Sequence, residues 1–67
     1  MKHDWFTFKE CEVTTVADTP ATIPAGRHLT TELNTSTGGV SVRPVGLAID
    51  IAYPEWKRLQ DEGLVGK

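Results

Sequence analysis

Trp5-Phe6-Thr7-Phe8-Lys9-Glu10-Cys11-Glu12-Val13-Thr14-Thr15-Val16-Ala17 reads as β structure that cannot run straight. Aromatic, β-branched and threonine residues suit a pleated, half-buried surface, so the segment is expected to be extended. Its apolar parity slips, however. Phe6 and Phe8 fall on one phase, Cys11 and Val13 on the other, and Val16 returns to the first. A strand with one buried face cannot shift by one residue without turning every side chain over. Bends or bulges are therefore expected near Lys9-Glu10 and near Thr14-Thr15, giving strands over about 5–9 and 11–17 and a curved sheet.

Downstream, Asp18-Thr19-Pro20 breaks this run. Ile23-Pro24-Ala25-Gly26 then has proline and glycine at the second and fourth positions of a type I turn. A strand follows over 27–33, with Leu29, Thr31 and Leu33 on its apolar side and His28, Thr30 and Glu32 on the other. Asn34 to Gly39 is a loop by composition, and Val40 and Val42 resume the alternation over 40–43. Two registers fit this hairpin. Either Leu33 faces Val40 across a six-residue loop, or Gly38-Gly39 is a tight turn and Thr37 faces Val40; both place Leu33 and Val42 on one face. Leu47, Ile49 and Ile51 alternate with polar or small residues over 47–52 and are expected in the core. From Pro54 the period changes to that of a helix over 54–62. Proline suits its first turn, Glu55 favours the positive N-terminus, and Trp56 and Leu59 share a face. Gly63 fits the left-handed position after it, with Leu64 set to touch Leu59.

These elements predict a single small domain over 1–67, mainly β with one short C-terminal α-helix. It is expected to form a small curved antiparallel sheet or an SH3-like, partly open barrel. With 67 residues, 39% hydrophobic, the chain can fold but buries only roughly 60% of its unfolded surface. Its net stability should then be about 3–5 kcal/mol, with a lone cysteine unable to add an internal disulfide.

Charge and motif content mainly exclude. Seven Lys and Arg against nine Asp and Glu give a net charge of −2, and the basic residues are scattered. Neither a nucleic-acid footprint nor an anionic-membrane anchor follows from that balance. Met1-Lys2-His3-Asp4-Trp5 has no apolar run, and the single cysteine suits a reducing compartment, so the expected location is cytoplasmic. Cys11, His3 and His28 stand at no recognised metal-ligand spacing; no metal or other cofactor is expected. Glu10 and Glu12 share a strand face and Asp50 faces away from the core, which reads as solvated carboxylate rather than acid–base machinery. No phosphate-binding or nucleophile-elbow glycine pattern is present, and Gly38-Gly39 reads as turn. A non-enzyme is expected.

Binding is the class that survives. If Phe6 and Phe8 point inward, Trp5 and Thr7 point outward. The preferred placement packs Trp5 on the helix or over one end of the barrel, while the alternative makes it an anchor for a protein partner. Trp56 and Tyr53 are expected to hold the short helix against the sheet. His28, Thr30, Glu32, Ser41 and Arg43 are expected to form the polar outer face of the hairpin. Trp5, Phe8, His28 and Arg43 are accordingly the candidate partner-binding residues. The expected role is a protein–protein interaction module, a small accessory or regulatory protein of bacterial or phage type that docks on a larger protein. The alternatives are a single-stranded nucleic-acid-binding barrel using His28 and Arg43, and a structural subunit that self-associates through an edge strand.

Overall fold

The computed structural model describes residues 3–33 and 38–67. Within them the chain forms β1 (His3–Phe8), β2 (Cys11–Thr14), β3 (Pro20–Ile23), β4 (Gly26–Glu32), β5 (Gly39–Arg43), β6 (Ile49–Ala52), α1 (Tyr53–Asp61) and β7 (Val65–Gly66). Five strands in the order β6-β5-β4-β1-β7 make one antiparallel sheet, curled as a half-barrel, and β2 and β3 form a separate hairpin. The expectation of a mainly β chain with one short helix and a curved sheet is met.

The break at Lys9-Glu10 is where the parity argument requires it. β1 places Phe6 and Phe8 inward, the chain bends, and β2 restarts with Cys11 and Val13 inward. The second interruption falls at Thr15, which accepts and donates within a tight reversal: its N–H donates to Thr19 O, and Asp18 N–H donates back to Thr15 O. Asp18 takes the left-handed φ of 61° that asparagine and aspartate tolerate better than most residues. The sequence reading misses β3. Pro20 occupies its first position, where the absent N–H breaks no ladder, so a residue that resembled an end of β structure is a beginning.

Two further expectations are corrected at the central hairpin. Observed pairing sets Thr30 opposite Val42 and Glu32 opposite Val40, an odd shift from both expected registers, one residue from the first and five from the second. That slip inverts β4: His28, Thr30 and Glu32 share the inner face with Val40 and Val42, whereas Leu29 and Thr31 share the outer face with Arg43 and Ser41. The physical reason lies at Gly39, which is the first residue of β5 rather than part of the loop. Its φ is 129°, and a Cβ there would lie 2.5 Å from Ile51 O, so glycine lets β5 approach β6 closely. Leu33 N–H donates to Gly39 O, placing five residues in the connection; of the loop expected over 34–39, residues 34–37 lie outside the described residues.

Leu47 is also corrected. It belongs to the turn between β5 and β6, where its N–H donates to Pro44 O, and it is 56% exposed; Ile49 and Ile51 are buried. The helix is seen over Tyr53–Asp61, and its end is capped as the sequence indicates. Gly63 has φ 71°, its N–H donates to Gln60 O, and Leu64 N–H donates to Leu59 O. The chain then adds β7 beside β1, a two-residue strand without a sequence signal of its own.

One core results. Phe8, Val42, Ile49 and Ile51 from the sheet meet Cys11, Val13 and Ile23 from the hairpin and Trp56 and Leu59 from the helix. Helix and hairpin therefore cover the inner face of the sheet, while on the other face Trp5 and Arg43 are exposed and Thr31 and Ser41 are buried.

Candidate functional site

β1 sends its even and odd residues to different fates. Phe8 is 2% exposed and stacks against the His28 ring at 5.5 Å, and His28 Nε2 donates to Pro24 O at 2.7 Å. Phe8 is thus an interior side chain, and the half-buried His28 leans on it at one end of the sheet. His28 faces inward because of the inverted register of β4. The expectation that Phe8 is exposed to a partner is corrected by its burial, and the expectation that His28 lies on the outer face is corrected by the register.

Trp5 and Arg43 do come together. Trp5 pairs with Leu29, and Leu29 pairs with Arg43, so the three form one cross-strand row on the outer face. Trp5 is 50% exposed, on the face opposite α1; the preferred placement against the helix is corrected, because the helix packs on the inner face with Phe6 and Phe8. Neighbouring rows add His3 with Thr31, Ser41 and Asp50 on one side and Thr7 with Arg27 on the other. Arg27 and Arg43 are exposed and make no ion pair with a described residue. Thr31 and Ser41, in the row of His3 and Asp50, are buried. The outer face is therefore an indole and a leucine framed by basic groups, with Asp50 as the carboxylate of the adjoining row.

The inner face opens at the opposite end from Phe8. There Asp4, Phe6, Thr30 and Glu32 from the sheet meet Tyr53 and Trp56 from α1 around a hollow of about 350 Å³. Phe6 meets Trp56 edge-on, with ring centroids 5.1 Å apart. Lys67 Nζ stands at its rim, 2.8 Å from Asp4 Oδ2 and 5.3 Å from the Phe6 ring centroid. Trp56 is buried as expected, whereas Tyr53 is half-exposed over this hollow instead of being packed against the sheet.

A third polar group clasps the helix to the hairpin. Arg58 Nε donates to Glu55 Oε1 at 2.7 Å, and a terminal nitrogen of the same guanidinium donates to Glu12 O. The backbone N–H of Thr14 donates to Glu55 Oε2 at 2.7 Å. The Arg58 hydrogen bond first, and that from Thr14 second, hold the Glu55 carboxyl below its ordinary value. Spacing in the sequence shows Glu55 and Arg58 as helix neighbours; their reach to β2, 41 to 46 residues away in the chain, has no local signal.

The remaining candidate groups stand apart. Cys11 is buried and its thiol is pushed up by desolvation, which disfavours the reactive thiolate. Among the described residues no three His, Cys, Asp or Glu side chains gather as a metal would need, and no helix is long and apolar enough to cross a membrane. Comparison with family models, with curated proteins and with solved structures gave no match.

Proposed function

We propose that this chain is a non-enzymatic protein-interaction module that docks on a larger protein through the outer face of its five-stranded sheet. The observation that carries this reading is Trp5: a half-exposed indole held in mid-strand, in register with Leu29 and Arg43, on the face that neither helix nor hairpin covers. A tryptophan fixed on a rigid strand offers large contact area at small entropic cost, and Trp and Arg are enriched among residues that dominate binding energy. The partner this face fits has an apolar socket for the indole and acidic side chains around it, meeting Arg27 and Arg43. As an accessory or regulatory protein, the chain would act by occupying that site.

Capture with the tagged chain, in parallel with Trp5→Ala and Arg43→Ala and with nuclease present, tests this. Proteins retained by the parent and lost from both variants are the expected result. Retention of every partner by both variants, with folding intact, would overturn the outer face as the docking site.

A second reading has a specific observation behind it. A single-strand nucleic-acid platform needs an aromatic among cations, and the inverted register puts Trp5, not His28, on the face shared by Arg27 and Arg43. The net charge of −2 and the single aromatic on this face favour a protein instead. Fluorescence anisotropy of a labelled single-stranded oligonucleotide separates the two, since nucleic-acid binding here would fall steeply with salt and vanish in Trp5→Ala. Self-association by strand addition has weaker support: the edge strands β6 and β7 have four and two residues, and Val16 N–H already donates to Asp50 O on β6.

A further inference from the structure

We propose that the hollow between β1, β4 and the start of α1 is a receptor for a lysine side chain of a partner protein, and that Lys67 is its built-in competitor. The inference concerns the inner face and does not rest on docking through Trp5.

Three properties of the hollow converge on an alkylammonium. Its aromatic wall, Phe6, Tyr53 and Trp56, supplies ring surfaces that attract a cation and cover a methylene stem. Its ionisable lining residues are Asp4 and Glu32, both carboxylates, so the electrostatic bias has one sign. At about 350 Å³ it is of the size that accepts one extended side chain rather than a folded element. An apolar slot alone would not choose among occupants; the carboxylates choose a cation.

The chain itself shows the recognition chemistry. Continuing the pairing of Thr7 with Gly66 by one residue sets Lys67 opposite Phe6 on the inner face. There its ammonium donates to Asp4 Oδ2 at 2.8 Å and stands over the Phe6 ring at 5.3 Å. Both partners line the hollow, whereas Lys67 reaches them from the end of β7 without being part of the lining beside Tyr53 and Trp56. A primary ammonium entering between sheet and helix would take the same carboxylate and ring while gaining the remaining aromatic wall. Lys67 side-chain atoms are 65% exposed, so the resident pair is screened by water and readily exchanged.

The test uses Trp56 as reporter. In a Trp5→Phe background it is the sole tryptophan, and it lines the site. Nα-acetyl-lysine methylamide is titrated at constant ionic strength against this protein and against the same protein carrying Lys67→Ala, with the norleucine analogue as the neutral isostere. Saturable change in Trp56 emission is expected with the lysine compound in the millimolar range. It should be several-fold tighter when Lys67 is absent, because a tethered competitor acts at roughly millimolar effective concentration. Asp4→Asn should weaken it about fivefold, the loss of one exposed ion pair of up to roughly 1 kcal/mol. Lys67→Gln, which keeps most of the stem and drops the charge, should reproduce the gain seen with Lys67→Ala, because the competitor is the ammonium and not the stem. Equal response to the norleucine compound would overturn the proposal, as would no saturable response from either Lys67 variant while both retain the parent circular dichroism.

Discussion

The two faces of the five-stranded sheet differ in apolar content and in coverage, and so have opposite fates. Inside, Phe8, Val42, Ile49 and Ile51 are sealed by α1 and by the β2–β3 hairpin. Outside, exposed Trp5 and half-buried Leu29 lie in register beside Arg43 with no described helix or strand over them. Apolar content and coverage therefore go together. β4 is the exception, since it turns the polar Thr30 and Glu32 toward the inside and Leu29 toward the outside. Its inner residues line an open mouth where polar groups stay hydrated or paired, as when Thr30 Oγ1 donates to Asp4 O.

The sharpest way to break that comparison is to truncate one residue of each kind in a single turn of chain. Ile49 and Leu47 share a parity, but Ile49 is buried and Leu47 is exposed in the turn before it. Ile49→Ala should cost about 2–5 kcal/mol, enough to unfold most of a domain this small. Leu47→Ala should stay within about 0.5 kcal/mol of the parent. Chemical denaturation of both variants checks this, and equal losses would return Leu47 to the core. Next in size is Gly39→Ala. The positive φ and the approach to Ile51 O both oppose a side chain, so a loss of about 1–3 kcal/mol is expected. An unchanged midpoint would mean that β5 and β6 separate more easily than their spacing implies.

These residues also show what was legible before the structure. The parity slip at Lys9-Glu10 was readable because large aromatics on one side of it and Cys11 and Val13 on the other mark the core unambiguously. The helix was readable because proline, the Trp56 and Leu59 spacing and Gly63 each act within a few residues. The hairpin register was not: β4 holds threonines on both faces, and only the contact between Gly39 and the neighbouring strand selects among pairings that differ by one residue. Of the four candidate binding residues, Trp5 and Arg43 share the outer row while Phe8 and His28 were displaced inward. Alternation predicted outward placement for both Trp5 and Arg43, but for Trp5 it was overruled by a packing preference that the position of α1 does not satisfy. The hollow with Lys67 left no mark in the sequence, because it joins residues from both ends of the chain.

Coverage of the inner face depends in part on the clasp of Glu55 and Arg58 onto β2, and that contribution is pH-dependent. The Glu55 carboxyl is held below its ordinary value in the folded chain, so its stabilisation is fully present above the unfolded value of about 4.3 and fades as the pH falls through the folded one. Glu55→Gln should therefore be less stable than the parent at pH 7, and the gap should close in acid. Thermal melts of both at pH 7 and pH 3 measure it. A gap that stays constant would show the clasp to be a neutral hydrogen bond, and helix docking would then owe its strength to Trp56 and Leu59 alone.

The smallest effect is expected where the functional claim is greatest. Trp5 contributes to the fold only through its cross-strand neighbours, chiefly Leu29, and such pairs are worth roughly 0.2–1 kcal/mol. Trp5→Ala should accordingly lower stability by less than about 1 kcal/mol, while an aqueous quencher should reach the Trp5 indole far more readily than that of buried Trp56. The pair of measurements is informative because a binding anchor must be dispensable to its own fold: a side chain that the free protein needs cannot be fully offered to a partner. A loss above about 2 kcal/mol, or equal protection of both indoles, would place Trp5 under cover and remove the outer face from consideration as a docking surface.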